Sequence, residues 1–599
     1  MLQPKYLGIV FGLILNLTLS AQDSLRWVAT QQLRSGDYTT VVKTYDLLFT
    51  EYRGNGNDYY NVAFSWSLLK NQEMSLRYLD SAFLYGFTNL NHAKTDPDLT
   101  LARQSPRFNA LIEREEAFYK EENIDYLWIL EALTKRPVVS LRNKSHYNSI
   151  SNWLNSDGIS AKQILDARPD LDLKLTSDSL IDFSDKNLVI QNGKGTILLE
   201  RLKLNRLVLA SSTGILKEGD RVQNIIGLHD IQVTEMSWSL QDYDIIRFFR
   251  VEVDKIEQNY MAGLGRLNIT DSKLTLTQQF FEPNLGRPYY PFGTDQKPID
   301  MVMFKGNEFK CQTGMIGRIP LEINSPSIDI SSNVFHNEVD FFNSRTKSLN
   351  MYKNRFMKAV NIDRTNFHSP INYLPYRQFE GGFGVNGELS WEQWQTRTFV
   401  IGEKEEVNQA GPYDKLIYNY KLMHTNYKER GDMVSANAAY IDLKDLMLNH
   451  DYAAYQKTGS YERLIQYQIG KLLKFYTRSG TSPARAILVS FFIILLFSFI
   501  YLLFPSEWDT KSKKRMIEDY RIFKEKNEKG YIRPFFVMLL GIIRSWLNAF
   551  ALSLNAFVTL GFGAIPTKGI GRYICIIQGF MGWFLLSIFT VSLINQVLI

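Results

Sequence analysis

Asn555-Ala556-Phe557-Val558-Thr559-Leu560-Gly561-Phe562-Gly563 interrupts the apolar C-terminal part of the chain, and its reading decides how that region folds. A hydroxyl side chain precedes two glycines that bracket one aromatic residue. Glycine reaches backbone angles closed to other residues, so the carbonyl oxygens of Thr559, Leu560, Gly561 and Phe562 can turn toward one axis and replace a cation's water shell. Pro566 follows three residues later and favours a loop. A rival reading takes Gly561, Gly563, Gly569, Gly571, Gly579 and Gly582 as small residues that let membrane helices pack. Close-packing glycines recur every fourth residue on one helix face, whereas Gly561 and Gly563 alternate.

Two uncharged runs flank this stretch. Residues 486–504 carry no charge and, at about 1.5 Å per residue, span a hydrocarbon core roughly 30 Å thick. Pro483 and Arg485 precede the run and Pro505 ends it. The second run, 573–599, includes Trp583, suited to a lipid-facing or interfacial position. Between them, Trp546 to Leu554 reads as a short pore helix that includes Ser553 and is followed by Asn555. Irregular backbone at membrane depth needs protein or water around it, so two spans and one loop per chain imply partner subunits, most simply a homotetramer.

Over residues 484–599 the chain resembles the two-transmembrane pore domain of the potassium-channel superfamily. Gly571-Arg572 stand where that family often begins its inner helix, and Gly582 stands where its hinge glycine is usually found. The resemblance implies a potassium-selective filter from Thr559 through Gly563, with the ion held by the backbone carbonyls of Thr559, Leu560, Gly561 and Phe562. It also implies a pore helix carrying Ser553 and Asn555, a gating hinge at Gly582, and no cofactor beyond the permeating potassium ion. Ala564 departs from the aspartate common after the last filter glycine, and Asn555 from the acidic residue that many members carry there.

The remaining 480 or so residues are too many for one core. Residues 1–21 combine Lys5, an apolar run and a Leu19-Ser20-Ala21 end, the pattern of a secretory signal peptide, with an uncleaved anchor helix as the rival. Residues 22–125 resemble tetratricopeptide-type helical hairpins, with Gly36-Asp37 and Lys70-Asn71 as turns between apolar stripes. Short apolar segments at 188–190, 197–199, 207–209, 267–270 and 328–330 indicate many strands over 160–375. Asn-x-Phe repeats, with Phe335 and Phe356 spaced like one coil of a β-helix, place phenylalanines in an interior column and asparagines at turns. The segment 230–262 reads as an insertion that leaves the coil. Residues 412–480 read as a helical hairpin about Gly431-Asp432. A further helix over 461–477 leads to the membrane and carries Lys471 and Lys474, with Arg478 and Arg485 beyond it, all suited to lipid phosphates. Solenoid, hairpin and pore together resemble bacterial pentapeptide-repeat proteins with C-terminal ion-channel domains.

The expected fold class is a multidomain membrane protein. It has N-terminal all-α helical repeats, a central right-handed β-helix-like solenoid, and a C-terminal α-helical pore domain with two transmembrane helices and a re-entrant pore loop. A net charge of +6 without basic-aromatic runs speaks against nucleic acid. Two cysteines, Cys311 and Cys575, make neither a disulfide framework nor a thiolate metal site. No zinc-type histidine motif, phosphate-cradling glycine loop or nucleophile elbow occurs, so the chain is not expected to be an enzyme; Asp170, Asp172, Asp182 and Asp185 read as solvated turns.

The expected location is a bacterial inner membrane, multi-pass, with the N-terminal domain periplasmic and membrane lipid as a partner. The loop 505–534 has nine basic against six acidic residues and stays inside. A re-entrant filter would then face the cytoplasm; 535–558 crossing as a third helix despite Arg544 would return it to the outer side but spoil the re-entrant geometry, so the orientation of the filter stays open. The alternative function is a membrane-anchored solenoid scaffold or adhesion protein without conduction, whose helical repeats or solenoid bind a protein partner.

Overall fold

A computed structural model describes residues 24–52, 54–121, 124, 126–141, 180–191, 196–210, 225–276, 292–293, 297–311, 318–386, 399–400, 410–504, 532–559, 567 and 569–597, with five isolated positions between 517 and 525. The signal-peptide segment 1–21, Asp170, Asp172 and most of the basic loop lie outside these residues. The chain forms two compact units, Met1–Ile401 and Gly402–Ile599.

The first unit opens with helices α1 (24–35), α2 (Tyr38–Glu51), α3 (Gly56–Leu68), α4 (Gln72–Leu84), α5 (Leu90–Thr95), α6 (Thr100–Arg103), α7 (Pro106–Lys120) and α8 (Tyr126–Lys135). The turn between α1 and α2 has Gly36 at φ +75°, and the Asp37 side chain accepts the Thr40 amide. The turn between α3 and α4 repeats this arrangement: Lys70 has φ +59° and the Asn71 side chain accepts the Met74 amide. A left-handed residue ends one helix and a short polar side chain caps the next. Val41, Val42 and Tyr45 of α2 bury against Val62 of α3, while Leu76, Leu79 and Phe83 of α4 pack with Tyr60 and with Phe108 and Ile112 of α7. The buried Glu115 carboxylate accepts both arms of Arg136 at 2.6 and 3.0 Å, and that guanidinium also lies 3.7 Å from the Phe118 ring centroid. A buried carboxylate is tolerated only when paired in this way. Tyr126 of α8 donates to the Glu200 carbonyl and ties the helices to the strands that follow.

Those strands stack in parallel. Val138–Leu141, Ile181–Gln191, Leu202–Ala210, Ile225–Gln241, Ile245–Ala262, Arg266–Thr270, Met301–Lys305, Ser327–Ser331 and Ser348–Tyr352 pair in that order. A second ladder runs through Lys273–Leu276, Glu308–Cys311, Val334–Phe335 and Arg355–Phe356. A third joins Arg318–Pro320, Glu338–Asp340, Val360–Asn361 and Phe383–Asn386. Asp271, Gly306, Ser332 and Lys353, at the bend that joins the first ladder to the second, Asp230 and Arg250 inside long strands, and Arg201 before Leu202–Ala210 each take a left-handed φ between +50° and +71°. The bend is held by amides that reach the next rung, as from Ser332 to the Tyr352 carbonyl at 2.9 Å. Ladder hydrogen bonds offset the cost of left-handed backbone at residues with a Cβ.

Alternation sends one side of each strand inward. Leu267, Val302, Ile328 and Leu349 share a register, as do Ile269, Phe304, Ile330 and Met351. Phe309, Phe335, Phe356 and Phe379 stack with ring centroids 5.0, 4.6 and 5.2 Å apart. Beside them, the Asn307 amide side chain donates to Asn333 Oδ1 at 2.9 Å, Asn333 to Asn354 Oδ1 at 3.0 Å, and Asn354 to Gln378 Oε1 at 2.9 Å. Phe367 does not join this column; its ring meets Phe341 edge-on at 5.4 Å. Nor does 230–262 leave the stack. Ile225–Gln241 and Ile245–Ala262 pair with each other along their length, bending at Asp230 and Arg250, and a change of direction inside one strand looks like lost alternation in the sequence. Asp182 and Asp185 lie on the strand Ile181–Gln191, where the register shifts between Phe183 and Asn187, rather than in a turn.

The second unit is helical where described: α9 (Ala410–Glu429), α10 (Met433–Thr458), α11 (Tyr461–Thr477), α12 (Pro483–Tyr501), α13 (Ile532–Thr559) and α14 (Ile570–Val597). Gly431 at φ +72° and Asp432, which caps α10 through the Ser435 amide, form the expected hairpin turn. Among the described residues three helices are long and apolar enough to cross a membrane, over Pro483–Tyr501, Leu539–Thr559 and Ile570–Ile594. The expected short helix at 546–554 is therefore part of a helix of 28 residues. No proline interrupts it after Pro534, and a lone Gly541 or Arg544 does not break a helix.

Candidate functional site in the apolar helices

Tyr501 of α12, Ser553 of α13 and Gln578 of α14 meet at one buried joint. Ser553 Oγ donates to the Ile494 carbonyl at 2.7 Å. Gln578 Nε2 donates to Ser553 Oγ at 2.7 Å and to the Ser553 carbonyl at 3.0 Å, while its Oε1 accepts the Tyr501 hydroxyl at 2.7 Å. Ser553 and Gln578 are fully enclosed. Polar groups inside apolar helices are costly unless satisfied by one another, and here they join all three helices.

Around the joint the helices are packed by apolar and small side chains. Ala549, Leu552 and Ala556 of α13 bury with Tyr501 and Cys575, and Phe557 buries with Ala486, Ile494, Leu585 and Tyr476 of α11. At Gly582 the α14 backbone touches α13: a Cβ there would lie 2.2 Å from the Phe557 carbonyl oxygen. Only a residue without a side chain fits that approach. Gly571 also has close neighbours, Phe504 and Thr567, each 3.3 Å from a built Cβ.

The residues singled out from the sequence fall in different surroundings. Ser553 is a member of the joint. Half-buried Asn555 and exposed Thr559 lie four residues apart at the end of the described α13, where Thr559 Oγ1 donates to the Asn555 carbonyl at 2.6 Å. Gly582 sits at the crossing of α13 and α14. Leu560, Gly561, Phe562 and Gly563, with Ala564 and Pro566, lie outside the described residues. The sequence reading missed Gln578 and Tyr501. Their signal was available, since an amide within a run as apolar as 573–594 must find a partner inside the protein. Cys311 and Cys575 are both buried. Comparison with known proteins finds no family, characterised protein or solved structure that matches this chain.

Proposed function

We propose that the chain is a subunit of a potassium-conducting membrane pore, built as a homotetramer, with the carbonyls of Thr559, Leu560, Gly561 and Phe562 facing the ion and Gly563 closing the filter. One observation carries this reading: α13 is helical up to Thr559, its last described residue, which directly precedes the Leu-Gly-Phe-Gly run, and α14 spans Ile570–Val597. On this reading the helix stops there, and its last carbonyls, carrying roughly half a negative charge, favour a cation beside Thr559. The joint at Ser553, Gln578 and Tyr501 would brace the helix that presents this end. Asn555 backs Thr559 on the same turn, and the missing side chain at Gly582 would let α14 bend where it crosses α13.

On this reading the protein sits in a bacterial inner membrane with its N-terminal part exported. With α13 as the second of three crossings, Thr559 comes to the outer face, at the expense of a re-entrant loop. The parallel strands with stacked corners support a β-helix-like solenoid, and the paired helices before them support a tetratricopeptide-like module; either could receive a regulatory protein partner.

A membrane-anchored scaffold without conduction is the second reading, favoured by the length of α13, which suits a plain span. Potassium flux into proteoliposomes separates the two. Flux that Gly561→Ala abolishes supports the pore; absence of flux from well-folded tetramers supports the anchor.

A further inference from the structure

Helix α11 carries an apolar stripe on its outer side. Tyr461, Ile465, Ile469, Leu472 and Phe475 recur at helical spacing, and their exposure runs from 37% at Leu472 to 79% at Tyr461. The opposite side of the helix is already occupied by α10. A Cβ at Gly470 would meet Leu448 at 2.2 Å, Tyr467 lies against Tyr452 at 4.9 Å, and Arg463 and Lys474 pair with Asp451 and Asp445, each at 2.8 Å. Of this helix only Tyr476 and Thr477 are buried, and Tyr476 bonds Ser490 of α12 at 2.8 Å.

The stripe continues into the outer surface of the first span. Phe475 lies beneath the guanidinium of Arg485, 6.0 Å away in the first turn of α12, and Ile487, Leu488 and Phe491 continue the exposed apolar surface along that helix. Exposed Lys471, Arg478 and Arg485 surround the junction, and no acidic residue occurs between Glu462 and Arg485.

We infer that α11 lies in the interface of the bilayer that α12 to α14 cross, its stripe among the outer ends of the acyl chains and Lys471, Arg478 and Arg485 on phospholipid phosphates. The occupant is lipid because the stripe is continuous with a surface apolar enough to cross a membrane and, beyond Glu462 at its start, is edged by cations. A helix with an apolar face and a cationic border settles in the plane of the membrane, about 5–10 Å into the boundary between headgroups and chains. The geometry makes α11 a float that holds the α9–α10 hairpin at the membrane surface, whether or not the protein conducts.

The test uses the full chain in phosphatidylcholine–phosphatidylglycerol vesicles. Single cysteines at Ile465→Cys, Ile469→Cys, Gln466→Cys and Phe491→Cys carry an environment-sensitive fluorophore, and the parent chain, with Cys311 and Cys575 buried, gives the labelling blank. Probes at 465 and 469 should be quenched several-fold more by lipids spin-labelled near the headgroup than by lipids labelled near the chain end, and be shielded from aqueous iodide. The probe at 466 should remain open to iodide. Iodide access at 465 and 469 equal to that at 466 overturns the inference. Shielding from both iodide and lipid also overturns it and assigns the stripe to protein, such as a second copy. The probe at 491 reports the span separately: deep-lipid quenching there upholds membrane crossing whatever α11 does.

Discussion

Gln578 Nε2 lies 2.7 Å from Ser553 Oγ and 3.0 Å from the Ser553 carbonyl, joining α14 to α13 beside the buried Ala549, Leu552, Ala556 and Cys575. The same amide holds Tyr501, so a single side chain joins three helices.

Gln578→Leu should lower the stability of the second unit by about 1 kcal/mol, the usual scale for hydrogen bonds between membrane helices. Unfolding in mixed detergent micelles measures this. An unchanged midpoint would show that the joint holds nothing.

Gly582→Ala should cost about 1–3 kcal/mol, because its Cβ meets the Phe557 backbone rather than a side chain that can turn aside. Gly569, at φ +64° with open space around it, gives the comparison: Gly569→Ala pays only for backbone conformation, about 1 kcal/mol. Equal costs at the two sites would remove the close-packing account of Gly582.

Asn333→Ala should destabilise the strand stack by about 3 kcal/mol, since it leaves the Asn307 amide and the Phe304 carbonyl buried without their partners. Urea unfolding followed by the far-ultraviolet strand signal measures the loss. A loss no larger than that of an exposed control such as Asn350→Ala would mean that the ladder is not holding the rungs.

His229 is held below its ordinary value near 6.5, first by burial; the nearby Arg247 and Arg250 charges act the same way, and Glu200 and Asp230 oppose them. A folded value below the unfolded one means that the neutral ring's contribution is complete above the unfolded value and is lost as pH falls toward the folded value. Stability should therefore decline as pH drops from the ordinary histidine value, about 6.5, toward the lower folded value, and His229→Gln should flatten that slope. A slope unchanged by the substitution would assign the pH dependence elsewhere.

Local patterns carried much of the fold. Gly36-Asp37, Lys70-Asn71 and Gly431-Asp432 are all turns between helices, because a left-handed residue and a side-chain cap act within one turn of backbone. The spacing of Phe335 and Phe356 indicated their stacking, and both belong to one column. The segment 230–262 was misread because the corners at Asp230 and Arg250 reverse the alternation without ending the strand. The length of α13 was misread because attention to the glycines after Thr559 cut short a run in which nothing stops a helix before that residue.

By itself the sequence determined the apolar helices, the alternating strands and the turns, since each follows from preferences acting over a few residues. The tertiary structure alone decided that Gln578 meets Ser553 and Tyr501, that Gly582 lies on the Phe557 carbonyl, and that α11 keeps its apolar side outward. Those relationships join residues up to 77 positions apart, and they depend on how whole helices cross, which no local preference encodes.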